Sequence, residues 1–324
     1  MAEIARARDR IAGRIRRTPL IHSPWLSERT GGSLYLKLES LQVTNSFKAR
    51  GALNAVIALS ERLGPGQVLP TVVSASAGNH GRALAWAAAS VGLRVVIFTP
   101  RGAPEAKLAA IRRHGATLRA EADDYEGAER MAKEFARETG GLYLSPYSHP
   151  DLLSAIGTIA LEVVDDLPDV SRVVVPVGGG GLIAGIAQAL HAVHLPVETV
   201  GVEVEASHPF TASLAAGRIV EVIVGPTLAD GLAGNMDPEN IAFPIVQRLV
   251  TRIALAAEDD LAAAIRALVD HEHLIAEGAG ATAVAAVLAG RIDVRAGKTV
   301  IIVSGSNIDT ARLLSVLQSR PGVV

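Results

Sequence analysis

Four short segments combine residue types that suit chemistry on a small anionic molecule. In TNSFKARGA, 44–52, Lys48 stands just before a run, 49–59, that reads as helix. A helix start favours anions, so a standing ammonium there is misplaced. A Schiff base to an aldehyde cofactor removes that charge and uses the amine as a nucleophile. A solvated surface lysine is the alternative. In SASAGNHGRAL, 74–84, a strand ends in small residues and Gly78-Asn79 turn into a helix. Backbone N–H groups at a helix start cradle a carboxylate or phosphate, and Asn79 can hydrogen-bond a phenolic oxygen. An ordinary strand-to-helix turn is spelled the same way.

The third segment, VVVPVGGGGLIAG at 173–185, sets four consecutive glycines between a strand and a helix. Glycine runs cost backbone entropy, so a plain turn has little use for four; without side chains, their amides approach an oxyanion closely. Two anions compete for this loop. One is the phosphate of a small cofactor. The other is a dinucleotide, because Gly179, Gly181 and Ala184 fit G-x-G-x-x-G/A and Glu203 ends the next strand near the place of a ribose-binding acid. In the fourth, TVIIVSGSNID at 299–309, a buried strand delivers Ser304 to a turn, where it faces a ring nitrogen or caps the strand end.

The elements that must position these residues alternate β and α. Strands are expected at 72–76, 95–100, 117–119, 142–146, 173–177, 200–205 and 299–303, and helices at 82–91, 104–115, 125–139, 155–165, 182–194, 258–270 and 279–289. Short apolar strands between helices predict parallel sheets covered on both faces. No solenoid period or low-complexity linker interrupts the pattern. The block 68–146 reads as one compact unit, and a cleft between two such units is the usual place for a small-molecule site.

Composition bounds the partners. The chain has 324 residues, 49% of them hydrophobic, enough for two domains or one large one. A formal net charge of -2 argues against nucleic acid and anionic membranes, and no apolar run is long enough to span a bilayer. The arginine-rich start, MAEIARARDRIAGRIRRTPL, carries Glu3 and Asp9 and reads as an amphipathic helix of the fold rather than a targeting segment. The absence of cysteine excludes disulfides, thiolate zinc sites and thiol catalysis, and suits a cytoplasmic protein.

Taken together and in this order, SFKARGA, SAGNHG, GGGGL and SGSNID resemble the threonine ammonia-lyase and serine racemase group of fold-type II pyridoxal-phosphate enzymes, as do GTIALEV at 157–163, TLADGL at 227–232 and AEGAGA at 276–281. The resemblance covers nearly the whole chain. It implies an α/β fold of two open, twisted, mostly parallel sheets like tryptophan synthase β, with a large domain of 1–67 and 147–324 and a small mobile domain of 68–146. It implies that Lys48 carries pyridoxal 5'-phosphate and Phe47 packs on its ring. Asn79 would bond the ring hydroxyl oxygen, Gly178, Gly179, Gly180, Gly181 and the Leu182 N–H the phosphate, and Ser304 the pyridine nitrogen. Ser76, Gly78, Asn79 and His80 would hold the substrate carboxylate. The freed lysine takes the Cα proton and the ring is the electron sink; a neutral serine at its nitrogen favours elimination over a long-lived carbanion. The expected activity is dehydration and deamination of L-threonine or L-serine to a 2-keto acid and ammonia. An end soon after the last motif resembles the short catabolic type, and a homodimer is implied.

Departures from the family pattern keep alternatives open. Racemases of the group carry a second serine where this chain has Ala77, which has no exchangeable proton. Divalent metal sites use an acid like Glu203 and a second acid where Pro209 stands; Glu203 is retained as a candidate ligand for a mono- or divalent cation, beside Glu205. A serine racemase or hydroxyaspartate dehydratase is the runner-up, and a dinucleotide-dependent oxidoreductase the reading from another class. Ile156 stands for a glutamine of many relatives, and PYSHP, 146–150, for a more acidic stretch. If these approach the pocket, a larger or more apolar substrate is implied. The run His271 to His273 predicts surface or capping roles, because i and i+2 on a helix point apart.

Overall fold

The computed structural model describes residues 1–63 and 67–319. Residues 64–66 and 320–324, at the edges of the range expected for the large domain, lie outside the described residues. The strands are β1 (Leu20–His22), β2 (Ser33–Lys37), β3 (Val72–Ala75), β4 (Val95–Pro100), β5 (Thr117–Ala122), β6 (Leu142–Tyr143), β7 (Val170–Pro176), β8 (Glu198–Val204), β9 (Arg252–Ala256) and β10 (Lys298–Ile302). They form a six-stranded sheet in the order β1-β2-β10-β7-β8-β9 and a four-stranded sheet in the order β5-β4-β3-β6. Pairing is parallel throughout except between β1 and β2.

Period-two burial builds the core. In β7, Val173 and Val175 face one apolar layer and Val174 the other; in β10, Val300 and Ile302 oppose Ile301, and Val303 just after the strand joins the layer of Ile301. The first layer is closed by helices Lys48–Leu63, Pro150–Asp166 and Gly181–Ala192, the second by Glu258–Glu272 and Gly278–Leu288. The amphipathic start is helix Ala2–Ile11, which buries Ile4, Ala7 and Ile11. In the smaller sheet, Val73, Ala75, Val96 and Phe98 pack on Ala128, Ala132 and Ala136 of helix Tyr125–Thr139.

Most elements fall where the apolar periods place them. The strand at 142–146 is shorter than expected and ends at Tyr143; Leu144 still donates to Val73, and Pro146 has no N–H to continue a ladder. Strands β1, β2 and β9 and helices Pro24–Thr30, Pro209–Ala216, Ala242–Leu249 and Thr310–Gln318 carry no equally strong pattern and appear only in the fold. The loops that follow β3, β7 and β10 hold the glycine and serine motifs. Open parallel sheets bind ligands at such carboxyl ends.

Candidate active site

Lys48 is the first residue of helix Lys48–Leu63, and the segment before it is stitched to the end of β10. Phe47 N–H donates to Ser304 O at 3.1 Å, Ser306 N–H donates to Asn45 O at 2.9 Å, and Ser46 bridges Gly305. Lys48 Nζ lies 5.0 Å from the centroid of the Phe47 ring and donates to Pro146 O at 2.6 Å. Burial pushes its amine down to about 8, since the charged form loses hydration and no carboxylate replaces it. An amine so depressed is available as a nucleophile near neutral pH.

The loop after β3 starts helix Asn79–Ala89. Ser76 Oγ accepts from the N–H of Gly81 at 3.0 Å and of Gly78 at 3.2 Å, so this side chain caps the helix rather than standing free. The remaining N–H groups of the first turn suit an anionic oxygen. His80 is buried, its Nε2 has no hydrogen-bond partner, and desolvation followed by the charge of Lys48 holds the imidazole well below its ordinary pKa. Asn79 is engaged at both ends: Nδ2 donates to Glu277 Oε1 at 2.5 Å and Oδ1 accepts from Asn307 Nδ2 at 2.6 Å. Burial pushes the Glu277 carboxyl up to about 7.

The glycine loop leads from β7 into helix Gly181–Ala192, with Gly180 at φ +83°. A Cβ at Gly179 would lie 2.3 Å from the Tyr147 ring, one at Gly180 2.3 Å from the Phe210 ring, and one at Gly181 2.7 Å from Tyr147 O. Gly178 packs on Leu232, and Asn240 Nδ2 donates to Gly179 O at 3.0 Å. Only glycine fits this cradle, and Leu182 follows it in the first turn of the helix. Ser304, buried at the end of β10, donates weakly to Ala279 O at 3.4 Å and keeps its hydroxyl for a better acceptor.

The remaining candidates lie elsewhere. Glu203 is fully buried: Oε1 accepts from Phe210 N–H at 2.8 Å, and Oε2 from Thr211 N–H at 2.8 Å and Thr211 Oγ1 at 2.7 Å. Fully buried and bonded through both oxygens to the start of helix Pro209–Ala216, it is poorly placed to meet a ribose, which argues against the dinucleotide reading. A cation at Glu203 would share its carboxylate with these bonds, and among the described residues no group of three or more His, Asp or Glu suits a metal ion. His271 stacks on Trp25 at 4.0 Å, Glu272 Oε1 accepts from Ser23 Oγ at 2.5 Å, and His273 ends the helix at φ 56°. Ile156 packs against Gly185 in the helical layer and does not line the cleft.

Three side chains at the site were not singled out by type and spacing. Tyr147 covers Gly179 and accepts from Asp237 N–H at 3.3 Å. Glu277 and Asn307 sit inside AEGAGA and SGSNID, but their partner Asn79 is 198 and 228 residues away. A cavity of about 270 Å³ opens beside Asn79, lined by Gly78, Arg82, Lys107, Glu277 and Asn307 among others, with Lys48 and the glycine loop outside its lining. A desolvated lysine, a glycine cradle too tight for any Cβ and an under-used serine hydroxyl fit an aldehyde cofactor with an anionic tail.

Comparison with known proteins agrees. The family model described as pyridoxal-phosphate dependent enzyme matches residues 11–305. An L-threonine ammonia-lyase of Geobacter sulfurreducens is 42% identical over 318 residues, covering 98% of this chain and 77% of that protein. A catabolic L-threonine dehydratase of Escherichia coli is 38% identical over 313 residues, covering 96% and 94%. The solved structure of maize serine racemase superposes with a TM-score of 0.89 at 30% identity, over 97% of this chain and 95% of that one.

Proposed function

The chain belongs to the pyridoxal-phosphate dependent enzyme family, and on that premise we propose that it is an ammonia-lyase acting on a small β-hydroxy amino acid such as L-threonine or L-serine. The products are a 2-keto acid and ammonia; water leaves with the β-hydroxyl and is regained on hydrolysis. The observation that carries this reading is the desolvated Lys48 amine, held at about 8 beside Phe47 and bonded to the carbonyl of Pro146, the residue before the Tyr147 that covers the polyglycine turn.

Pyridoxal phosphate, when bound, supplies the electron sink that makes the substrate Cα–H acidic. Lys48 would be its attachment point and, as a free amine, the base for the Cα proton. Amides of Gly178 to Gly181 and Leu182 would hold the phosphate, Asn79 the phenolic oxygen and Ser304 the ring nitrogen. The first turn of helix Asn79–Ala89, with Ser76, Gly78 and His80, receives the substrate carboxylate. Neutral His80 adds a donor or acceptor without a charge. Ala77 places no proton donor on this loop, which favours elimination over two-base racemisation.

We further assign 68–146 as a small mobile domain on the strength of its separate four-stranded sheet. It meets the rest of the chain through the ion pairs Lys107–Asp230 and Lys133–Asp237, of 2.5 and 2.7 Å, through the hydrogen bonds of Asn79 and Arg82 to Glu277 and Asn307, and through apolar packing of helix Asn79–Ala89 in the layer that helix Lys48–Leu63 closes. No helix among the described residues is long and apolar enough to cross a membrane. A cytoplasmic homodimer is the assembly we propose from the family likeness.

The test is a panel of amino acids, serine and threonine and bulkier β-hydroxy analogues included, scored for keto-acid release by protein loaded with the cofactor. Borohydride should fix the cofactor on Lys48. Release from none of the panel, or labelling at another lysine, contradicts the proposal.

A further inference from the structure

We propose that Glu277 and Asn307 are positioning residues that lock the Asn79 side-chain amide in one orientation, leaving a single N–H to hold the phenolic oxygen of the cofactor. This rests on the reading of the cleft as a pyridoxal-phosphate site. A primary amide has an acceptor end and a donor end with two hydrogens, and the two ends have nearly the same shape. Unless its partners are one-sided, such a group presents either end to a ligand. Asn79 has one-sided partners. The Glu277 carboxylate accepts from Nδ2 at 2.5 Å, and the Asn307 NH2 donates to Oδ1 at 2.6 Å.

The clamp is itself anchored. Asn307 Oδ1 accepts from Arg82 Nη1 at 2.5 Å, a group that only donates, and Nδ2 also donates to Thr44 O at 3.0 Å, a group that only accepts. Asn307 therefore cannot flip, and neither can Asn79. Glu277 is held from its backbone, where its N–H donates to Gly305 O at 3.1 Å. Its carboxylate fills the space of a missing side chain, since a Cβ at Gly305 would lie 2.2 Å from Glu277 Oε1. The relay Arg82–Asn307–Asn79–Glu277 thus joins both sheets across the cleft. One Nδ2 hydrogen of Asn79 remains. The opposite orientation would put Oδ1 against an anionic oxygen, a repulsion in place of a charge-assisted hydrogen bond.

Variants loaded with pyridoxal phosphate read this directly through the cofactor dissociation constant and the visible absorption and circular dichroism of the bound cofactor. Asn307→Asp replaces the donor facing Asn79 Oδ1 by an acceptor in the same volume. It should weaken cofactor binding about tenfold or more, the order expected for a lost charge-assisted bond, and redistribute the visible band. Glu277→Leu should do the same, and Glu277→Gln, which still offers an acceptor to Nδ2, should restore most of what Glu277→Leu loses. That Gln-over-Leu rescue decides the matter even if Asn307→Asp does not fold. The proposal is overturned if Asn307→Asp or Glu277→Leu keeps the dissociation constant and spectrum of the parent while Asn79→Ala changes both. Should Asn79→Ala and Lys48→Ala also leave the spectrum unchanged, the cofactor reading fails, and the clamp with it.

Discussion

The N–H of Phe47 donates to the carbonyl of Ser304 at 3.1 Å, so the residue preceding Lys48 is tied to the turn that follows β10. The separation of the Lys48 and Ser304 backbones is thereby fixed, and only the two side chains are left to adjust. A planar ring held at one edge by the lysine and at the other by the serine needs that constancy, because small misplacements of reacting groups cost rate steeply.

Capture of the cofactor should follow the protonation of Lys48. Its pKa, lowered from 10.5 to about 8 by burial, leaves a neutral fraction that grows tenfold per unit below about 8 and then levels off. The attachment rate in the cofactor-free protein, followed by absorbance, should show that limb and plateau. The linkage sign runs the same way: between pH 8 and 10.5 the unfolded chain holds more protons at this lysine than the folded one, so its contribution to stability rises with pH across that window. Lys48→Ala should remove both trends and lower turnover by about a thousandfold or more. An attachment rate that stays flat from pH 6 to 9 would contradict the depressed amine.

The glycine loop makes a prediction about the phosphate alone. Gly179→Ala drives a methyl into the Tyr147 ring, and Gly180→Ala adds a strained φ of +83° to a clash with Phe210. Overpacking of this kind costs about 1–3 kcal/mol. Binding of pyridoxal phosphate should weaken by about tenfold or more, the equivalent of some 1.4 kcal/mol, while the weaker binding of pyridoxal, which lacks the phosphate, should change little. Equal losses for the two ligands would mean that the loop shapes the pocket without cradling the anion.

Much of this arrangement is legible in the chain. VVIFTP and VIIVS declare buried strands, and the glycine run and SAGNHG mark strand-to-helix turns by composition. What stays hidden is pairing at long range. β10 inserts between β2 and β7, and that order brings Ser304 to Lys48. No local period encodes it. SLYLK at 33–37 hides its nature because Lys37 is fully buried, a position that polar residues occupy only when paired. The partner, Glu162 at 2.6 Å, is 125 residues away. Glu277 is obscure for the same reason, since its meaning lies in Asn79.

Behind Lys48 lies a buried ionic network that should govern stability. Arg50 is fully buried; Nε and Nη2 donate to Glu39 at 2.9 and 2.8 Å, and Nη1 donates to Glu162 at 2.6 Å. Burial alone would raise the Glu39 carboxyl, but the charge and hydrogen bonds of Arg50 outweigh it and hold the group below its ordinary value. This contribution to stability is present above the unfolded carboxyl pKa and is lost as pH falls through the folded one. Arg50→Met strands the buried Glu39 carboxylate and should cost about 3–5 kcal/mol in urea unfolding of the cofactor-free protein, while Glu39→Ala, which leaves Arg50 its bonds to Glu162, should cost less. The double variant should recover part of that loss. Additive losses would show that the two residues do not act as a pair.

Ala77 offers the sharpest test of reaction specificity. It lies between Ser76 and Gly78, on the turn that starts helix Asn79–Ala89, and supplies a methyl where a hydroxyl could exchange a proton. The loop needs no rebuilding to accept serine, because Ser76 Oγ already takes the N–H of Gly78 and Gly81 and the helix stays capped. Ala77→Ser should therefore fold as the parent does and keep elimination within a few fold, while D-serine formed from L-serine rises from background. Chiral chromatography of the serine pool, run beside keto-acid release, measures the ratio of the two outcomes. A protein that folds, binds cofactor and eliminates as before but forms no D-serine would show that the opposite-face proton is not delivered from this position. The preference for elimination would then rest on the neutral Ser304 partner of the ring nitrogen instead.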